Sequence, residues 1–265
     1  MKPLLAILVF AASVLAVAPA RASAESVFLD ELTWTEVRDA IRAGRTSVII
    51  PVGGSEQSGP HMALGKHNVR ASALAGRIAA ELGNALVAPV VAYVPEGRVD
   101  APAGHMRFPG TISIPDAAFQ SVLEGAARSL RHAGFRDVIL IGDHGGYQDQ
   151  LQAVATKLNR EWAATPVRAH YIAEYYRSGV EPYAKALRER GLSDAQIGLH
   201  AGAADTSLML AVDPRLVRAD RLAAAPVSGD GTAGDARPSS AALGQIGVDL
   251  IVSRSVAAIR RAVAR

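Results

Sequence analysis

Short apolar runs alternate along the chain with segments whose apolar residues recur every three or four positions. Runs with the length and composition of buried strands cover residues 48–52, 85–94 and 137–141. Segments with helical spacing cover residues 68–82, 115–133 and 148–163. A repeated order of strand, helix and strand is typical of a parallel sheet covered by helices. The pattern therefore predicts an α/β fold with a mostly parallel central sheet.

Weaker patterns complete the prediction. An amphipathic helix from Leu32 to Ala43 opens with Thr33 or Thr35 as its N-cap and leads into the first strand. Later segments are a candidate strand, a polar helix, a loop of small residues and a final apolar helix, at residues 167–176, 181–190, 223–240 and 241–264. Because no repeat or linker interrupts this order, we expect a single domain over residues 25–265.

Ionisable residues gather where two of the predicted strands end. Those after the first strand are Glu56, His61 and His67, and those after the third strand are Asp143 and His144. Open α/β sheets bind their ligands outside the carboxyl ends of the strands. We therefore expect these side chains to converge on one edge of the sheet.

Five of the seven histidines lie in loops at strand ends or just before a helix: His61, His67, His105, His144 and His200. His200 and Asp205 converge only if the next helix begins between them. A single loop histidine is more often a structural hydrogen-bonding residue than a ligand, but five beside several carboxylates favour a metal site. The chain has no Cys, so the ligands must be nitrogen and oxygen atoms, a set that zinc or manganese accepts.

The N-terminal residues have the pattern of a secretory signal peptide. Lys2 precedes an uncharged apolar run at residues 4–18, and the small residues Ala22, Ser23 and Ala24 follow it. A membrane anchor is the alternative, but the run is shorter than the roughly 20 apolar residues of a spanning helix. We expect residues 1–24 to be cleaved, leaving a periplasmic or secreted protein without a membrane segment.

Removal of the signal peptide would leave an almost balanced charge. Loss of Lys2 and Arg21 leaves 26 of the 28 basic residues, against 25 acidic residues. Such a balance gives little support for nucleic-acid binding, so the expected partner is a small-molecule substrate. Without Cys, the fold has no disulfide and must be held by its core.

Ordered motifs run along nearly the whole mature chain: EQSGPH at residues 56–61, FPGT at 108–111, GDHGGY at 142–147, HAG at 200–202 and DTS at 205–207. Together they resemble the creatininase (creatinine amidohydrolase) family. The resemblance implies a three-layer α/β/α fold and assembly into homo-oligomers, hexamers in many members. It also implies metal-dependent hydrolysis of an amide C–N bond in a small, often cyclic, substrate.

Four positions depart from the family pattern. Ser58 replaces a histidine that helps to hold a second metal, His67 replaces an aspartate that bridges two ions, and Gly146 replaces a glutamate of creatininase itself. Asp205 replaces a glutamate and is one methylene shorter. A histidine cannot bridge two cations, because the nitrogen that faces a metal has one lone pair. The departures therefore predict one divalent ion, with zinc favoured and manganese as the alternative.

The metal ligands implied by the resemblance are Glu56, His67 and His144, with Asp205 as a fourth ligand or the general base. Two histidines and a carboxylate with room for water are typical of catalytic zinc sites, where the pKa of bound water falls to about 7. His200 is expected to polarise the carbonyl or to protonate the leaving nitrogen. Asp143 either supports a liganding histidine or caps the following helix.

The leading hypothesis is thus a secreted metal-dependent amidohydrolase. A non-catalytic descendant that binds a metal or small ligand is an alternative, because positions 58, 67 and 205 all differ from the family. The exchange at His67 favours the enzyme, since a decaying site more often loses a ligand than acquires another good one. Hydrolysis of a lactone would use the same chemistry and stays open.

Overall fold

A four-stranded parallel sheet forms the centre of the protein, whose computed structural model describes residues 26–225 and 228–264. The strands are β1 (Ser47–Val52), β2 (Ala85–Val87), β3 (Asp137–Gly142) and β4 (Arg168–Tyr171), in the order β2-β1-β3-β4. Ile49 of β1 lies opposite Val87 on one side and Ile139 on the other. Because β1 and β3 run parallel, the polar loops that follow them emerge at the same edge. The predicted signal peptide lies outside the described residues.

Helices cover both faces of the sheet. They are α1 (Trp34–Arg42), α2 (Lys66–Leu82), α3 (Asp116–Ala133), α4 (Gln148–Glu161), α5 (Ala173–Ser178), α6 (Glu181–Arg188), α7 (Asp194–Ile197), α8 (Ala203–Val212), α9 (Ala219–Ala223) and α10 (Ala241–Val263). Ile49 and Ile139 point into a core formed with α2 and α10. Val48 and Ile50 point into a second core formed with α3 and α4. This arrangement confirms the predicted three-layer α/β/α fold with a parallel central sheet.

Local sequence signals fix several helix ends. The Thr33 hydroxyl accepts a hydrogen bond from the Glu36 amide, and the Glu36 carboxylate accepts one from the Thr33 amide, which forms a capping box at α1. Gly83 and Gly134 end α2 and α3 in the left-handed conformation. α8 begins after His200 and before Asp205, as their convergence requires.

Other boundaries differ from the prediction. β2 ends at Val87 rather than at residue 94, because Pro89 has no amide hydrogen to continue the ladder. The candidate strand at 167–176 ends at Tyr171 and is followed by α5. The expected loop at 223–240 contains a short hairpin of β5 (Ser228–Gly229) and β6 (Thr232–Ala233). α2 begins at Lys66, two residues earlier than predicted, which adds Lys66 and His67 to its first turn.

Among the described residues, α10 is the helix with enough length and apolar character to cross a membrane. Half of its apolar stretch is buried inside the protein, where it packs along α8, α5 and α2. These contacts indicate that α10 is a core helix of the domain.

Candidate metal centre

A cavity of about 490 Å³ opens at the edge of the sheet where β1 and β3 end. Its lining includes the ionisable residues Glu56, His67, His105, His144, His200 and Asp205. Apolar side chains, among them Val180, Ile197 and Leu208, line it as well. The structure thus brings the predicted ligands and the predicted catalytic residues to one cavity, but gives them different surroundings.

Glu56 lies at the bottom of this cavity with a fully buried side chain. Its Oε2 accepts no hydrogen bond from any part of the chain that the structure describes. Nε2 of His105 and Nε2 of His144 face this oxygen at 3.6 and 3.5 Å. Two zinc ligands at about 2.0–2.1 Å in a tetrahedral arrangement lie about 3.3 Å apart, so these three residues fit such an ion. One ligand atom from each lies within 4.8 Å of the others.

Both histidines of this group have a fixed place in the fold. His105 lies on a single 3-10 turn, and its Nδ1 is 2.7 Å from the side-chain nitrogen of Gln57. Oε1 of Gln57 accepts from the Gly59 amide at 3.0 Å, so the side-chain nitrogen donates to Nδ1 of His105 in this structure. Ion binding through Nε2 would place the ring proton on Nδ1 and would require the Gln57 amide to move. Burial lowers the pKa of His144 to about 4, which keeps its ring neutral and able to offer a lone pair.

His67 has a different environment from the one expected of a ligand. Its Nε2 donates to Oε1 of Glu56 at 2.7 Å, and its Nδ1 donates to Oδ2 of Asp143 at 2.6 Å. Burial and the charge of Lys66 oppose protonation, but these two hydrogen bonds outweigh them and raise the pKa of His67. Both ring nitrogens are thus held by carboxylates, which favours a protonated ring over a ligand, and the assignment of His67 as a metal ligand stays a prediction.

Asp205 also has its oxygens occupied by cations. Nζ of Lys66 donates to Oδ2, and Nη1 of Arg70 donates to Oδ1 at 2.7 Å. Burial would raise the pKa of Asp205, but the charges of Lys66 and Arg70 hold it well below its usual value. The backbone amide of Ala201 adds a third hydrogen bond at 3.2 Å. The geometry favours a structural role for Asp205, and its assignment as ligand or base stays a prediction.

The buried charges around Asp205 balance one another. Asp143 accepts hydrogen bonds from His67, from Nε of Arg70 at 2.9 Å and from the Tyr175 hydroxyl at 3.0 Å. The cations of this network are Lys66, His67 and Arg70, and its carboxylates are Glu56, Asp143 and Asp205. Three positive charges thus face three negative charges without any added ion.

His200 lines the cavity beside Glu56. Its Nε2 lies 2.9 Å from the carbonyl oxygen of Gln57, which it reaches as an N–H donor, so the lone pair is on Nδ1. That Nδ1 lies 3.8 Å from Oε1 of Glu56. Burial, followed by the charge of Lys66, lowers the pKa of His200 to about 4. His200 is therefore neutral near pH 7 and presents one nitrogen that can accept a proton.

Glu96 is a further buried carboxylate, which the sequence did not single out. Its side chain is fully buried, and neither oxygen has a hydrogen-bond partner within residues 26–225 and 228–264. Oε2 lies 3.6 Å from Nδ1 of His144. Burial, and then the charge of Glu56, raise the pKa of Glu96 to about 8.

Two other sequence candidates are placed away from the centre. Nε2 of His61 lies 3.0 Å from the Thr206 hydroxyl in the buried interior, which indicates a structural role. Ser58 is buried, and its Oγ has no hydrogen-bond partner among the residues described. Its short side chain is absent from the cavity lining, so it contributes nothing to the group around Glu56.

The sequence pattern missed Lys66, Arg70 and Glu96 for two different reasons. Lys66, His67 and Arg70 project from adjacent turns of α2, a three- and four-residue spacing that would have revealed them had the helix been predicted from Lys66. Glu96 lies in an irregular loop before Gly97, and no periodic pattern marks such a position.

A family model described as creatinine amidohydrolase (creatininase) matches residues 30–259 of the chain. The creatinine amidohydrolase of Pseudomonas putida is 30% identical over 203 residues, which cover 75% of this chain and 76% of the relative. The mycofactocin precursor peptide peptidase of Mycolicibacterium smegmatis (strain ATCC 700084 / mc(2)155) is 31% identical over 185 residues, which cover 66% of this chain and 61% of the relative.

Solved structures give the same result. The crystal structure of a creatinine amidohydrolase (creatininase) matches with a TM-score of 0.75 at 27% identity, covering 91% of this chain and 99% of that chain. A creatininase structure designated Mn matches with a TM-score of 0.73 at 27% identity, covering 91% and 100%. A variant creatininase of Zn-Zn type matches with a TM-score of 0.72 at 27% identity and the same coverage.

Proposed function

The chain belongs to the creatininase (creatinine amidohydrolase) family and is a metal-dependent amidohydrolase, and we propose that it cleaves a C–N bond in a small substrate with one divalent ion held by Glu56, His105 and His144. The observation that carries this proposal is Oε2 of Glu56, a buried oxygen without a hydrogen bond from the described residues, faced by two imidazole nitrogens. A buried carboxylate oxygen in such a position is stabilised by a cation.

The residues of the cavity divide the chemistry among them. An ion in this place would supply a Lewis acid and lower the pKa of water. His200 accepts through Nδ1 the proton that the attacking water loses, and returns it to the nitrogen of the breaking C–N bond. The hydrogen bond from Nε2 to the Gln57 carbonyl keeps His200 in the tautomer that this transfer needs. The products are a carboxylic acid and an amine, with the water consumed.

The charge balance around Asp205 supports one ion rather than two. Lys66 is 1% exposed, and its ammonium lies between Asp205 and Oε1 of Glu56, 3.7 Å from the latter. A second divalent ion beside these oxygens would be repelled by the ammonium at short range. Zinc is the proposed ion, because two neutral imidazoles and a carboxylate suit it, and manganese is the alternative.

A substrate screen with defined metal content tests the proposal. The mature chain, stripped of metal and reloaded with zinc, is assayed against cyclic amides, formamides and lactones. We expect zinc-dependent amide hydrolysis, and His200→Ala should lose most of the turnover while it retains the ion. The matched control is His132→Ala, on the far helix α3, which should retain both. Lactone hydrolysis alone would reassign the bond, and zinc binding without any turnover would contradict an enzyme.

Two further parts of the proposal come from the sequence and the family. We propose that the protein is exported and begins near Glu25, which the intact mass of the exported protein would test, with a retained N-terminus as the contrary result. We also propose a homo-oligomer, with the hexamer of the family as the first expectation. Light scattering that gives a monomer at micromolar concentration would contradict it.

A further inference from the structure

Burial of the Glu96 side chain costs free energy, and no hydrogen bond from the described residues offsets that cost. Its side chain is 0% exposed, and both oxygens lack hydrogen-bond partners there. With a pKa of about 8, Glu96 is a neutral carboxyl group near pH 7 in the ion-free protein. A buried carboxyl group without a hydrogen-bond partner is still costly, so a protein that keeps one at a candidate metal centre gains something else from it. Glu96 takes no part in the hydrolytic steps described above.

The backbone holds Glu96 firmly in this costly position. The amides of Glu96 and Gly97 donate to the Ser113 hydroxyl at 3.0 and 3.1 Å, and that hydroxyl donates to the Gly97 carbonyl. Gly54 has φ +146°, and a Cβ there would lie 2.8 Å from Oε1 of Glu96. A residue with a side chain at position 54 would therefore clash with the carboxylate, so the loop after β1 leaves space for it.

The neighbour that can use Glu96 is His144. Nε2 of His144 faces Oε2 of Glu56 at 3.5 Å, and Nδ1 of the same ring faces Oε2 of Glu96 at 3.6 Å. A histidine that binds an ion through Nε2 carries its proton on Nδ1 and needs an acceptor there. In this structure the Gly146 amide donates to Nδ1 at 3.3 Å, so ion binding at Nε2 has to move the ring proton to Nδ1 and exchange this donor for the Glu96 acceptor. Hydrogen bonds of this kind are often long in the ligand-free protein and shorten on binding.

We propose that Glu96 is a positioning residue for the metal centre, whose carboxylate accepts a hydrogen bond from Nδ1 of His144 and so turns the lone pair of Nε2 toward the ion. The inference rests on the proposed function, because it needs His144 as a ligand. Carboxylate partners of liganding histidines fix the tautomer and raise the basicity of the ring. Glu96 thus stabilises the ion-bound protein at the expense of the ion-free protein.

Two measurements on the full mature chain test whether Glu96 favours zinc binding at the expense of the stability of the metal-free protein. Glu96→Met keeps the volume and removes the acceptor, and Glu96→Gln keeps an acceptor without the charge. Zinc affinity, measured by competition with a chelator, should weaken about 10–100-fold in Glu96→Met and by less in Glu96→Gln. The thermal midpoint of the metal-free variants should equal or exceed that of the wild type, because a costly buried carboxylate is gone. A purely structural residue would lower the midpoint.

The matched control is Glu124→Gln, which alters another buried carboxylate, one paired with Arg128 and Lys157 far from the centre. It should leave zinc affinity unchanged. If the wild type and Glu96→Met bind zinc equally tightly, the inference is overturned and the proposed function stands. A lowered midpoint with unchanged affinity also overturns it. If the wild type binds no divalent ion, the inference and the proposed function fall together.

Discussion

The two carboxylate oxygens of Glu56 face two regions that differ in how their buried charges are compensated. The paired half, beside Oε1, consists of Lys66, His67, Arg70, Asp143 and Asp205. The open half, beside Oε2, consists of Glu96, His105 and His144. In the paired half, fixed cations of the chain engage every carboxylate. In the open half, Oε2 and both oxygens of Glu96 lack hydrogen bonds from the described residues.

The paired half stabilises the fold, whereas the open half is suited to a ligand. Buried charges are tolerated when they are paired and hydrogen-bonded, so the paired half is complete without an added ion. The open half keeps buried oxygens without hydrogen bonds beside two imidazole rings, which disfavours the empty state. We infer that the chain supplies its own cations on one side and leaves one place for a metal on the other.

Lys66→Met should have the largest effect, because it breaks the paired half. It removes the ammonium between Asp205 and Glu56 and leaves two buried carboxylates short of a cation. Removal of one partner from a buried ion pair costs about 3–5 kcal/mol. We expect a loss of this size in the free energy of unfolding of the metal-free chain, measured by chemical denaturation.

The control for that change is Lys157→Met, which removes an ammonium from an ion pair with Glu124 in which the lysine side chain is 63% exposed. Exposed pairs contribute about 0–1 kcal/mol, so its effect should be small. Equal losses in the two variants would show that the paired half has no special role in stability.

The variants His105→Ala and His67→Ala should affect different properties, because each changes a different half of the site. His105→Ala removes a proposed ligand, and we expect zinc affinity to fall at least about 100-fold, since loss of an outer partner alone costs 10–100-fold. The unfolding free energy of its metal-free form should change little. His67→Ala should instead lower the unfolding free energy, because it removes a cation between Glu56 and Asp143.

The sequence alone predicts the reverse result, with His67 as the ligand. Chelator competition and denaturation of the same two proteins decide between these assignments. Loss of the ion in His67→Ala, together with full affinity in His105→Ala, would restore His67 to the metal shell.

The smallest effect expected is a difference between the two halves in how their contribution to folding stability depends on pH. The pKa of Glu96 is raised from 4.5 to about 8, so its contribution to stability is present below about 4.5 and is lost as pH rises through about 8. The pKa of Asp205 is lowered, so its contribution is lost only in acid. Relative to Glu96→Gln, the metal-free wild type should therefore lose stability as pH rises between these values. A constant difference across that range, in denaturation curves of both proteins, would contradict this assignment.

Most of the fold could be predicted from the sequence, because the signals that specify its strands and helices are local. Apolar runs, Thr33 at the start of α1 and the glycines after α2 and α3 each act within a few residues. Two predicted boundaries were wrong. Pro89 interrupts the apolar run at residues 85–94 and ends β2 early. At residues 167–176, tertiary packing places the second half in α5 rather than in the strand.

The site followed from the sequence only in part. Glu56, His144 and His200 lie in the predicted cavity because strand ends and glycine-rich turns place them there. The division between the halves could not be predicted, since it depends on which oxygen of Glu56 meets which partner. Glu96 lies in an irregular loop and His105 on a short 3-10 turn, and only three-dimensional contacts bring them to His144 and Glu56.

Elemental analysis of the wild-type protein after equilibration with excess zinc measures how many ions each chain holds. We expect one tightly bound ion per chain, because the open half offers one set of ligands and Lys66 occupies the neighbouring place. Two ions per chain would show that the paired half admits a cation despite its charge balance. No bound ion would show that the open half is not a metal site.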